Sequence, residues 1–318
     1  MKRIRIALLA YPGCMGLQLF SVADILAIGA DLARAPFPPE VQWVSLHGRS
    51  VPLSGGTSIE TVRPRGKYDV LIVPGFGLTR PVDWQAKLAA RAAEVEFIRR
   101  SFAKGTRVAS ACVGAFLLAE AGLLDGRKAA TSWLFAEELA RRYPGIAVQP
   151  ERLLVEDSAV ITTGAVSAAT DLAIFLIKRL FGAEAGLAAA RVTLLAEQRT
   201  SQAPYVDTNI AAQSLPDFSQ SLVEWFNQRL SIPYSLQAVS TAFHTSPSTL
   251  MRRVRSETGQ TPLALLHGAR VEKARQLLRT TSWNMPRIAE AVGYADASSF
   301  SRLFTRLTGQ TPTRYRRQ

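Results

Sequence analysis

The chain has 318 residues, 47% of them hydrophobic, which supports ordinary globular cores, suggests two domains and excludes a disordered chain. A formal charge of +13 and a pI near 10.3 favour acidic partners. Two cysteines exclude a disulfide framework and fit a reducing cytoplasm.

Met1-Lys2-Arg3-Ile4-Arg5 runs directly into a strand-like segment, Ile6 to Ala10, without a signal-peptide core. Ala168 to Ile177, the best apolar stretch, is about ten residues long, against the roughly twenty a membrane span needs. No membrane span is therefore expected, and the sequence names no metal or cofactor.

The first two hundred residues alternate strand and helix patterns. Ile4–Ala10 reads as a strand, then a helix from about Leu17 to Leu32, then strands at Val41–Leu46 and Val70–Val73. The last of these ends at Pro74-Gly75-Phe76-Gly77 and precedes a helix from about Ala86 to Lys104. Arg107–Ala111 is a strand that runs into Cys112-Val113-Gly114 and the helical segment Ala115–Ala121. Ala159–Thr162 is another, followed by Gly164 and an apolar helix to Leu180. Such alternation predicts an α/β domain with a parallel sheet covered on both faces and a ligand site beyond the carboxyl ends of the strands.

The turns at those ends define a candidate ligand pocket of Cys14, Gly75, Phe76, Cys112, Val113, Ser132 and Gly164. Its sharpest element is Ser110-Ala111-Cys112-Val113-Gly114, a nucleophile type between small residues at a strand-to-helix turn. A helix N-terminus there would favour a thiolate, whereas a buried structural cysteine is the plainer alternative. A thiol switch between Cys14 and Cys112, both following strands, is a further alternative.

These segments, with Leu118-Ala119-Glu120-Ala121-Gly122-Leu123-Leu124-Asp125-Gly126-Arg127, resemble the PfpI-like branch of the class I glutamine-amidotransferase-like superfamily. The resemblance covers about Arg3 to Phe181 and implies a flavodoxin-like sandwich with the family cysteine at Cys112. Enzymes of that fold pair the cysteine with histidine and often with a glutamate. Here Ser132 stands where relatives commonly carry histidine, Gln18 falls near the glutamate-like place, and the only histidine of the domain is His47, read as a surface loop residue. The competing reading is an enzyme, a cysteine-dependent amidase, protease or glyoxalase-like hydratase using Cys112. It requires a base within reach of the thiol.

Arg199 to Asp217 is polar and carries two prolines. The chain therefore divides into residues 1–198, a linker at 199–217 and a second domain at 218–318. From Ala211 onward there are 14 Lys and Arg against 6 Asp and Glu, a net +8 that leaves +5 for the rest.

This basic half is all helical and holds one unit twice. Thr258-Gly259-Gln260-Thr261-Pro262 returns as Thr308-Gly309-Gln310-Thr311-Pro312, fifty residues on. At the same offset Ser248, Leu250, Arg252 and Val254 fall opposite Ser298, Phe300, Arg302 and Phe304, and Val239 falls opposite Ala289. After a helix at Phe218–Leu230, each unit predicts a support helix, a turn and an arginine-bearing second helix of the kind that enters a DNA major groove. Ser246 and Asp296 are the predicted caps of the second helices. A helix from about Leu263 to Arg279 joins the units, with Arg270, Lys273 and Arg275 along it.

Ile288-Ala289, Gly293-Tyr294, Ser298, Phe300-Ser301-Arg302, Phe304, Gly309, Pro312 and Tyr315-Arg316 resemble the AraC/XylS family of bacterial transcription regulators. With the first domain, the whole resembles that family's GlxA-type subgroup. By position the resemblance implies base contacts from Ser248, Met251, Arg252, Ser298, Ser301 and Arg302. Arg253, Arg255, Arg306, Arg314 and Arg316 read as phosphate contacts. In the first unit Phe243-His244 replaces the Gly-Tyr of the second. The expected partners are double-stranded DNA, a small-molecule effector such as an amine or amino-acid derivative, RNA polymerase for activation, and a second copy in a homodimer.

Overall fold

The structure, a computed structural model, describes residues 3–78, 82–195, 199–206 and 217–317. It divides into two compact units, Met1–Gln202 and Ala203–Gln318. Apolar Leu187, Val192, Leu194 and Leu195 predict a helix over Gly186–Gln198; the structure has one over Ala183–Val192, and residues 196–198 lie outside the described ones.

Unit 1 is built on a six-stranded sheet. Its strands are β1 (Arg5–Leu9), β2 (Glu40–Val44), β5 (Val70–Val73), β6 (Arg107–Ser110), β9 (Leu154–Asp157) and β10 (Val160–Thr163), in the order β2-β1-β5-β6-β10-β9. The first five in that order pair in parallel, and β9 adds antiparallel at the edge. Two short hairpin strands, β3 (Ser50–Pro52) and β4 (Ser58–Glu60), and the pair β7 (Lys128–Ala129) and β8 (Ala147–Val148), lie outside it. Interior strands of a sheet covered on both faces must be apolar throughout, and Val70-Leu71-Ile72-Val73 is buried at every position.

Helices α1 (Gly16–Leu32), α6 (Ala168–Phe181) and α7 (Ala183–Val192) pack together, as do α3 (Ala92–Ala103) and α4 (Gly114–Glu120), while α5 (Ala136–Arg142) packs on β8. Right-handed crossovers place these two groups on opposite faces. The single helix expected over Ala86–Lys104 is instead α2 (Trp84–Ala89) and α3, broken at Arg91 (φ −119°). No glycine or proline marks that break. Its reason is tertiary, because it lays the Arg91 guanidinium over Phe76, 4.1 Å from the ring centre, and turns Glu94 into the interior.

Unit 2 is helical, from α8 (Asp217–Asn227) through support helix α9 (Leu236–Ala242), recognition helix α10 (Pro247–Thr258) and joining helix α11 (Pro262–Thr280). Support helix α12 (Met285–Ala291), recognition helix α13 (Ala297–Thr308) and terminal α14 (Pro312–Arg316) complete it. The duplicated Thr-Gly-Gln-Thr-Pro segment is a helix stop and restart. Thr258 and Thr308 Oγ1 donate to Val254 O (2.7 Å) and Phe304 O (2.8 Å). Gly259 and Gly309 take φ of 72° and 71°, which glycine adopts without steric cost. Thr261 and Thr311 then cap the next helix, with Pro262 and Pro312 in its first turn.

The support helices do not correspond at an offset of fifty. Ser235 caps α9 and Asn284 caps α12, forty-nine residues on, while the recognition helices keep fifty. The second turn is one residue longer. Buried Val239 and Ser240 therefore match Ile288 and Ala289, and His244 (φ 49°) occupies the left-handed position that Gly293 (φ 80°) holds in the second unit. This corrects the pairing of Val239 with Ala289 and of Phe243-His244 with Gly-Tyr.

Candidate functional site

Two sites are described separately, one in each unit. In unit 1 the carboxyl ends of β1, β5 and β6 flank the point where strand order reverses, the usual ligand position in such sheets. Cys14 follows β1 and bridges to Phe76, Met15 N–H donates to Gly75 O (2.9 Å), and Cys112 N–H donates to Gly164 O (2.9 Å). Cys112 sits at φ 54°, a left-handed conformation that side chains other than glycine rarely adopt. Thus the structure brings Cys14, Gly75, Phe76, Cys112, Val113, Ser132 and Gly164 together. It also closes them in: Cys112 is 4% exposed and Ser132 6%.

The thiol is governed by that burial, which pushes it from its ordinary 9.0 up to about 11. The Val113 N–H, the Ser132 hydroxyl and the Gln18 carboxamide pull the other way and are outweighed. The thiolate expected from the helix N-terminus is not favoured here. Gln18 Oε1 accepts from Gly75 N–H at 2.6 Å, and its Nε2, turned toward the sulfur, finds no full hydrogen-bond partner. Cys14 is likewise pushed up to about 11 by burial, and both cysteines are free. Among the described residues, neither histidine nor carboxylate is one of the groups that act on the Cys112 sulfur.

His47 is exposed in a loop, as expected, but it is not without a role there. Its Nε2 contacts Oε1 of Glu94, which is fully buried and whose Oε2 has no partner. Arg91 lies in the same cluster, donating to Lys87 O (2.6 Å), with Nε unpartnered. Sequence pattern gave no signal for Glu94, which sits in an ordinary first turn of a helix.

A second unforeseen residue is Gln202, assigned by sequence to polar linker and found 1% exposed. Its Nε2 donates toward Thr131 O (2.7 Å), Pro150 O (2.9 Å) and Arg152 O (3.2 Å), and its Oε1 accepts from Trp133 N–H (3.1 Å) and Ala165 N–H (3.3 Å). Thr131 Oγ1 in turn donates to Cys112 O (2.9 Å). A cavity of about 500 Å³ lies elsewhere, between α1 and the Pro38–Val41 segment, and none of the elbow residues lines it.

In unit 2 the recognition helices are seated by caps. Ser246 Oγ accepts from Thr249 N–H (3.2 Å), and Asp296 accepts from Ser298 and Ser299 N–H (3.0 and 2.7 Å). The Ser299 hydroxyl foremost, then those two N–H groups, hold the Asp296 carboxyl below its ordinary value. Leu250 and Val254, and Phe300, Leu303 and Phe304, face the interior. Ser248, Arg252, Ser298 and Arg302 are exposed, and Met251 and Ser301 half-buried.

Arg302 Nη2 donates to Ser299 Oγ (2.9 Å). Beside it runs a groove of about 540 Å³ lined by Ser301, Arg302, Thr305, Arg306, Thr311 and Thr313, among others. The five further arginines differ. Arg253 pairs with Glu257 (2.8 Å) and lies 3.9 Å above the Phe218 ring, and Arg316 donates to Trp283 O. Arg255, Arg306 and Arg314 are exposed without an ion pair among the described residues.

A flavodoxin-like fold with a cysteine elbow, on one chain with paired helix-turn-helix units, defines a two-domain DNA-binding transcription regulator. Residues 14–179 match the DJ-1/PfpI family and residues 239–318 a helix-turn-helix domain. The chain is 30% identical over 245 residues to HTH-type transcriptional regulator GlxA of Rhizobium meliloti (strain 1021), covering 75% of this chain and 72% of that one. It is 28% identical over 321 residues to HTH-type transcriptional regulator CdhR of Pseudomonas aeruginosa, covering 97% and 90%. The fold is shared with the crystal structure of an AraC family transcriptional regulator from Pseudomonas putida, at a TM-score of 0.51 and 20% identity over 60% of this chain and 99% of that one. The chain belongs to the AraC-type helix-turn-helix transcription regulators that carry a DJ-1/PfpI domain. No described helix is long and apolar enough to cross a membrane.

Proposed function

We propose that unit 2 reads bases through Ser248, Met251, Arg252, Ser298, Ser301 and Arg302. Unit 1 senses a small metabolite, an amine or amino-acid derivative, at the elbow around Cys112. The observation that carries the DNA assignment is that Arg252 and Arg302 stand exposed on helices whose opposite faces form cores. Arginine can bond a guanine edge through two parallel hydrogen bonds. Arg302→Ala is expected to weaken specific binding by about 1–3 kcal/mol and relax preference at one base position. A competition shift assay in which the variant keeps full affinity removes Arg302 from the assignment.

The elbow binds rather than catalyses in this reading, because a buried protonated thiol without a base is a weak nucleophile. Turnover of any amide or glyoxal that vanishes in Cys112→Ala would reverse it. Activation then runs through RNA polymerase in the cytoplasm, and unit 1 forms a homodimer. Supporting the dimer are Leu17 and Phe20, exposed on α1. Sedimentation of the full chain as a monomer at micromolar concentration would remove the dimer.

A further inference from the structure

Unit 2 contains two hydrophobic cores rather than one. The first ends on the joining helix at Ala269 and the second begins at Val271. Between them stands Arg270, 5% exposed, with no carboxylate partner among the described residues. A charged side chain is almost never this buried without a counter-charge, because the interior does not replace its lost hydration.

The guanidinium is satisfied instead by backbone. Nε donates to Leu230 O (2.9 Å) and Nη2 to Ile232 O (2.8 Å), both in the turn that leads into the first support helix. On its other side it lies 5.1 Å from the Tyr294 ring, in the turn of the second unit. Tyr294 packs on Phe300 of the second recognition helix at 5.1 Å. The approach is close: a Cβ on Gly293 would fall 2.3 Å from Leu230 O and 2.7 Å from Arg270 Nη2. A turn of the first unit, the joining helix and a turn of the second therefore meet at one carbonyl.

We propose that Arg270 is the positioning residue that fixes the two recognition helices relative to each other. A rigid fork that bonds one unit's backbone and stacks on the other's aromatic ring holds orientation as apolar contact, which can slide, does not. The joining helix of 19 residues spans roughly 28 Å at 1.5 Å each, so a small rotation at its middle misplaces a helix that must meet a groove about one duplex turn away. This inference rests on the reading that both helices contact DNA.

The test uses full-length protein and a duplex selected from a randomised pool by the wild type. Binding is measured on that duplex, on versions with one contact segment scrambled, and on versions with one base pair added or removed between segments. Arg270→Met and Arg270→Lys are each expected to weaken the intact duplex roughly 10- to 100-fold, to stay within about two-fold of wild type on a single segment, and to tolerate altered spacing.

The salt slope should stay unchanged, since a buried arginine neutralises no phosphate. Gly293→Ala, which forces the same junction apart, is expected to behave alike. Wild-type affinity and spacing preference in a folded Arg270→Lys overturn the proposal, as does an equal loss on every duplex with a reduced salt slope. If the wild type selects no duplex at all, the DNA-reading assignment falls first.

Discussion

At Cys112 the backbone and the surroundings act on the thiol in opposite directions. The left-handed turn aims its N–H at Gly164 and places the sulfur beside the Val113 amide, which favours negative charge. Burial at 4% exposure opposes that and wins, raising the thiol to about 11. Roughly one thiol in a thousand is then ionised at pH 8. In a Cys14→Ser background, iodoacetamide should therefore modify Cys112 far more slowly than free cysteine, with a rate that climbs until pH about 11. A rate already level at pH 8 would show an activated thiol and reopen the enzymatic reading. Gln18 pulls the thiol down and is outweighed by burial, and it supplies no base, since a carboxamide held by Gly75 N–H can neither take the thiol proton nor carry charge.

Elements in this protein are held by two kinds of bond, local and remote. The caps at Ser246, Thr261, Asp296 and Thr311 act within three residues and set where helices begin. Gln202 acts across 71 residues, tying the segments at Thr131–Trp133, Pro150–Arg152 and Ala165 into one frame behind the elbow. Removing its carboxamide leaves several buried backbone groups unpaired at once. Gln202→Ala should cost unit 1 about 1–3 kcal/mol and speed amide exchange at Trp133 and Ala165. Unaltered exchange there would mean that the clamp is passive packing.

On the scale of the whole molecule, charge is the organising quantity. The excess of +8 after residue 210 predicts affinity that falls steeply with salt. The arginines should not contribute equally. Arg255→Ala is expected to reduce the salt slope by about 1, as for a phosphate contact, whereas Arg253→Ala should change it less because Glu257 and Phe218 already hold that guanidinium. Equal changes measured across a salt titration would return Arg253 to the phosphate-contact group.

The sequence by itself determined what depends on neighbours along the chain. The five parallel strands, the Cys112 elbow, the caps at Ser246 and Asp296 and the duplicated stop-restart segments are legible, because periodicity and capping act within a few residues, whereas the antiparallel edge strand β9 and the short strands outside the sheet were not read. It left unread whatever depends on closure of the chain. The burial of Glu94 against His47, the clamp at Gln202, the break at Arg91 and the inward turn of Arg270 join residues 40 to 71 positions apart or answer to them. Even the one-residue slip between the two support helices escaped, since motif spacing aligns residues while backbone hydrogen bonds align turns. Tertiary packing decided these points because a polar side chain taken from water must find its partners wherever the fold supplies them, whatever pattern it occupies in the sequence.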